Sequence, residues 1–304
     1  MFLGVFFSLI VSVLFAVYAV PRKFTKQNPA LYTMWVGVAY LAGSVAICSV
    51  VWGFGFQEQE NMFDARHLLS AIRGVVWVCG TVSYNIAIDK IGLVRFNQWK
   101  NFQGPAGTLL MLAFLDEIVG AKAVWLLCGM TSMFISAILF TISNPSDKSN
   151  HTWYFHRDSL LNGILFALFA ATCFGFTAFI NKIVTNQGFI YSQLLYHSLS
   201  IVVAAAIIFI IQSGKPGRLL RISRECLPPA MSGALFLIAT ILSIFSYTMI
   251  AGGVAWSITQ LNAVWTILIG IFIFREVSFR KHRRRIMLGF AFTMAAIAFL
   301  LFAL

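Results

Sequence analysis

The densest concentration of chemistry in this 304-residue chain is residues 95–103, Arg-Phe-Asn-Gln-Trp-Lys-Asn-Phe-Gln. Seven of these nine are polar, charged or tryptophan, and they open an otherwise apolar run. A charge deep in a membrane helix costs roughly 2.5–3.5 kcal/mol on insertion scales, so such a run must face a cavity or find partners. On one continuous helix Trp99, Lys100 and Gln103 share a face, with Asn97 and Asn101 beside them. Pro105, just beyond, removes a backbone donor and favours a kink with free carbonyls. Arg95 and Lys100 have a blander alternative, snorkelling to the headgroups. Gln103, about halfway along the run, lacks that option.

A second wall of the same chemistry lies at residues 256–266. Trp256, Thr259 and Gln260 share one face; Asn262, Trp265 and Thr266 share another. The competing reading for Gln260 and Asn262 is hydrogen-bond glue between helices. Further candidates are Tyr84 with Asn85, Tyr247, and the Arg73/Trp77 pair one turn apart. Gln193, Tyr196, His197 and Ser200 form a stripe, and Asn181-Lys182 closes another run. Amides supply planar donor–acceptor pairs and indoles an apolar platform, a combination that suits a neutral sugar or polyol. All ten Asp and Glu lie in loops or near run ends, which excludes a strong cation site and leaves no evident proton relay. An aromatic cage for a quaternary amine remains open, as do amino acids and organic anions.

The elements that must position these groups follow from composition. Sixty per cent of the residues are hydrophobic and 11% charged, whereas soluble domains carry about 25% charged residues. Ten runs reach the ~20 apolar residues of a membrane span: 2–20, 31–54, 67–88, 93–115, 123–143, 159–181, 190–211, 228–250, 254–274 and 285–303. The fold expected is therefore all-α and integral to the membrane. No Lys or Arg precedes the first run, so it reads as a span and not as a cleaved signal. The five cysteines lack CxxC spacing and imply no disulfide or metal site.

The halves repeat. Asn101 and Gln260, Gln103 and Asn262, Phe15 and Phe174, and Lys23 and Lys182 are each 159 positions apart; Ser83-Tyr84 and Ser246-Tyr247 match at 163. Five spans per half is odd, so residues 1–146 and 147–304 must insert in opposite senses, an architecture common in transporters. Spans 4 and 9 then meet near the midplane. One set of loops carries seventeen Lys and Arg, the opposite set only Arg66, Lys122 and Lys182. That bias places the basic loops in the cytoplasm and both termini outside. The +12 net charge is thus a topology signal, not a nucleic-acid footprint.

These features resemble the drug/metabolite transporter superfamily, of EamA and rhamnose-transporter type. The likeness rests on ten short-looped spans in two halves, an acid closing the fourth span of each (Glu117, Glu276), and Gly104-Pro105. Residues 91–105, IGLVRFNQWKNFQGP, are similar to the glucose/ribose-porter-like branch. The resemblance implies a secondary carrier in a plasma membrane (the bacterial inner membrane), with both termini cytoplasmic. Expected partners are a small-molecule substrate, the lipid bilayer and a coupling ion, H⁺ or Na⁺; the carrier is a monomer or homodimer without a cofactor. No HExxH, GxSxG, P-loop or paired catalytic carboxylates appear, which weighs against an enzyme. Channel and scaffold readings lack, respectively, a filter pattern and any need for buried amides.

Overall fold

A computed structural model describes residues 1–55, 61–91, 96, 99–115, 120–141, 157–214, 216–219, 223–274 and 279–303. Asn97, Arg95, Glu117, Glu276 and most of the connection between the halves lie outside the described residues. The described residues form eleven α-helices and no strand. They are α1 (Phe2–Val17), α2 (Pro29–Gly53), α3 (His67–Ile91), α4 (Gln103–Phe114), α5 (Ala121–Thr141), α6 (Arg157–Asn186), α7 (Ser192–Ser213), α8 (Leu227–Met249), α9 (Gly252–Thr259), α10 (Asn262–Phe272) and α11 (Phe279–Ala303).

Helix ends carry local signals. Asn28 caps α2, accepting from the backbone N–H of Ala30 (2.9 Å) and Leu31 (3.3 Å), and Pro29 follows at the first helical position. Gly214 closes α7 in the left-handed region at φ 61°. Among the described residues, seven helices, counted with their flanking turns, are long and apolar enough to cross a membrane. Large apolar side chains such as Phe2, Leu165 and Ile211 point outward from them. A lipid-facing exterior accounts for both facts, because helices satisfy their backbone groups internally, and the chain is a membrane protein.

The expected single helix over 254–274 is broken. α9 ends at Thr259, Gln260 and Leu261 form a turn, and α10 restarts at Asn262. Side chains compete for the carbonyls there. Thr259 Oγ1 (2.6 Å) and Gln260 Nε2 (3.1 Å) donate to Trp256 O, and Asn262 Nδ2 donates to Thr259 O at 2.9 Å. The other polar run breaks too, at Asn101-Phe102, because Pro105 has no N–H for the Asn101 carbonyl four residues back. The two breaks share their hydrogen bonds at an offset of 159. Phe102 N–H to Trp99 O matches Leu261 to Ile258; Gly104 to Asn101 matches Ala263 to Gln260; Ala106 to Phe102 matches Trp265 to Leu261.

The main helix packings join the first half of the chain to the second: α3 with α6 and α7, α8 with α1 and α2, α4 with α6 and α9, α1 with α9 and α10, α2 with α7, and α5 with α11. Exchanging α1–α5 for α6, α7, α8, α9/α10 and α11 maps this set of contacts onto itself. Close approach is made by small residues. A Cβ on Gly175 of α6 would sit 2.9 Å from Ala106 Cβ and Gly107 N of α4.

Candidate functional site

A cavity of about 90 Å³ lies among α1, α3, α4, α6, α7, α8 and α9. It has room for roughly six waters, or one small solute. Positions come from both halves in register: Phe15 with Phe174 and Tyr18 with Thr177 at an offset of 159, and Arg73 with Phe236, Trp77 with Thr240 and Tyr84 with Tyr247 at 163. Lys100, Gln103, Ala178, Asn181, His197, Ser243 and Trp256 complete the wall. Trp77 and Phe236 stack at 4.5 Å and 23°, forming a flat apolar surface.

Tyr84, Lys100, Gln103 and Trp256, singled out in the sequence, line this cavity, as do Arg73, Trp77, Asn181, His197 and Tyr247 among its further candidates. Gln103 is held from two sides. Its Nε2 donates to Gln260 Oε1 (3.0 Å), and its carbonyl accepts from Trp256 Nε1 (3.1 Å). Lys100 Nζ donates to Asn262 Oδ1 at 3.3 Å. Gln260 and Asn262 therefore act from behind the wall, bonding residues that reach the cavity. Thr259 bonds its own helix. Asn101 is buried beside a second, far smaller void with Gly104, Ser257 and Gln260, and among the described residues both ends of its amide lack a protein partner.

Three others are directed elsewhere. Trp99 lies parallel to Phe102, centroids 6.4 Å apart, and does not reach the cavity. The face expected to join Trp99, Lys100 and Gln103 is lost because the helix breaks between them. Trp265, 39% exposed, donates from Nε1 to Ser12 Oγ of α1 at 3.0 Å. Tyr196 donates to the Met62 carbonyl and stacks on His67 at 4.5 Å, facing the α2–α3 connection. The stripe on α7 thus divides: neighbouring residues are about 100° apart around a helix, and His197 faces inward while Tyr196 faces outward. Asn97 lies outside the described residues.

Sequence reasoning ranked the other polar cluster too low. Arg73 of α3 is buried, and its Nη1 donates to Asn181 Oδ1 of α6 and to Gln193 Oε1 of α7 (2.8 Å). Its Nη2 meets His197 Nδ1 at 2.5 Å, with Tyr40 OH at 3.3 Å from the same nitrogen. The available signal was arithmetic. Seventeen Lys and Arg on one set of loops and three on the other leave two of 22, Arg73 and Lys100. Both line the cavity.

No family model and no curated protein matches the chain. Twenty-five chains of solved structure do match. One, described only as "Crystal structure of protein", superposes with TM-score 0.68 at 12% identity, covering 98% of this chain and 94% of its own. At that identity the likeness speaks for the fold alone, along essentially the whole length.

Proposed function

We propose that the chain is a secondary-active transporter of a small polar metabolite, a sugar or polyol, belonging to the drug/metabolite transporter superfamily. It works by alternating access between two five-span halves inserted in opposite senses. The observation that carries this reading is a cavity lined from equivalent positions in both halves. Amide, hydroxyl, indole and cationic groups meet there, well inside the spans. The self-mapping contact set and the paired breaks at Asn101-Phe102 and Gln260-Leu261 support the repeat. Broken helices at the midplane are a recurrent device for binding and rocking in carriers. Gln103, Asn181, Thr177, Thr240 and Ser243 supply partners for hydroxyls, and Trp77 with Phe236 supplies the platform.

The test is solute uptake by vesicles reconstituted with the purified protein. Gln103→Ala removes one neutral hydrogen-bonding group from the wall and should lower uptake about fivefold. Trp256→Ala opens the wall and should lower it further. If Gln103→Ala, Lys100→Ala, Trp256→Ala and Asn262→Ala all carry solute at the wild-type rate, the site is elsewhere.

A further inference from the structure

Charge in the cavity is one-sided. Arg73 and Lys100 both line it, and among the described residues no Asp or Glu does. A guanidinium has five N–H groups. Three on Arg73 are met by Asn181, Gln193 and His197, all neutral. Because arginine only donates, His197 Nδ1 must accept; its ring proton then sits on Nε2, which is buried without a protein partner among the described residues. Lys100 has a neutral partner as well, Asn262. The ion pairs among the described residues lie elsewhere, Arg22 with Asp89 and Arg66 with Asp64. A buried cation without a counter-charge is destabilising. A planar fork of donors is the geometry that matches a carboxylate through two parallel bonds.

Resting on the transport reading above, we infer that the substrate is a small hydroxylated carboxylate, its acid group received by Arg73 and its hydroxyls by Gln103, Asn181 and Ser243. The cavity, about 90 Å³, suits a small solute such as a hydroxy acid or sugar acid. The three acceptors Asn181, Gln193 and His197 lie in the second half of the chain, and Tyr40 of α2 adds a contact from the first. A carboxylate that takes over donors now committed to Asn181, Gln193 and His197 therefore loosens α3 from α6 and α7. Binding is thereby coupled to relative movement of the halves.

The experiment compares matched pairs on the full-length protein in detergent, at constant ionic strength: gluconate with glucitol, glucuronate with glucose, lactate with propane-1,2-diol. A ligand that binds the folded state raises Tm according to ln(1 + [L]/Kd). Each acid that binds should do so at a concentration about tenfold or more below its neutral partner. Arg73→Lys keeps the charge and loses the fork, so it should erase most of that preference; Lys100→Gln should only weaken it. If the Arg73 variants fail to fold, the wild-type pairs still decide. Neutral members that stabilise as well as their acids, or no shift from any acid, overturn the inference. Uptake by vesicles separates it from the transport reading. Acids that bind without crossing leave the inference standing and sink transport. A neutral polyol carried without competition from its acid does the reverse.

Discussion

A single side chain in this protein is governed by whether it can find a partner away from water. Arg73 and Arg66 illustrate the two extremes. Arg73 is enclosed, and three neutral acceptors have been gathered around it from two other helices. Arg66, on the connection before α3, is exposed and grips Asp64 through Nε (2.9 Å) and Nη2 (2.6 Å), while its backbone N–H donates to the same carboxylate at 2.8 Å. The side-chain bonds from Arg66, then the backbone bond, hold the Asp64 carboxyl down at about 2. The folded-state value is depressed, so whatever the contact contributes is present above the ordinary carboxyl range and lost as pH falls through about 2. Carbon-13 NMR of labelled aspartate should find Asp64 titrating near 2, and Arg66→Gln should return it to the ordinary range. A carboxyl unmoved by that substitution would discount the contact. Because the bridge lies at the surface with Arg66 exposed, it adds little to stability.

At the scale of the helix, continuity is decided by competition for carbonyls. The face argument for Trp99, Lys100 and Gln103 assumed an unbroken helix, and Pro105 invalidates it by leaving the Asn101 carbonyl without its usual donor. At the equivalent break in the second half no proline is present, and hydroxyl and amide side chains produce the same break. Different residues therefore give equivalent local structure, which explains why the repeat is faint as sequence identity and plain as hydrogen bonding. Small residues then permit α4 and α6 to touch. Gly175→Ala should place a methyl 2.9 Å from the α4 backbone and lower stability by about 1–3 kcal/mol, read as a reduced Tm in detergent. A larger loss of uptake than of stability is expected, because α4 carries Gln103. An unchanged Tm would mean that the two helices adjust freely. The same closeness is seen at Gly107, where a Cβ would meet Trp256 Nε1 at 2.5 Å.

The whole molecule is held together between its halves more than within them. Side-chain bonds cross from one half to the other at Ser8–Ser246 (2.6 Å), Tyr32–Ser232 (2.7 Å), Thr108–Ser257 (3.2 Å) and Ser136–Thr293 (2.7 Å). A carrier that rocks must change some of these contacts and keep others. With the five native cysteines replaced, a Thr108→Cys/Ser257→Cys pair should oxidise readily, arrest uptake, and release it on reduction. Uptake that continues with the bridge closed would argue against movement at α4–α9. The cavity is symmetric in position and asymmetric in chemistry: the place that Arg73 holds in the first half is held by Phe236 in the second.

How much of this was legible follows from what each level of structure depends on. Composition and run length alone determined an all-helical membrane chain, because lipid admits few other ways to satisfy a backbone. The polar runs at 95–103 and 256–266 were also visible, since isolated amides and indoles in apolar stretches have no local explanation. Which of those groups face one cavity was not legible. Gln103 and Lys100 reach it, whereas Gln260 and Asn262 stand behind them and Tyr196 and Trp265 turn away. That outcome depends on two helix breaks, each about 100° of rotation per residue gained or lost, and on contacts between residues more than a hundred positions apart. Arg73, Asn181, Gln193 and His197 are scattered over 125 positions of the chain, and only the packing of α3 against α6 and α7 brings them to one point.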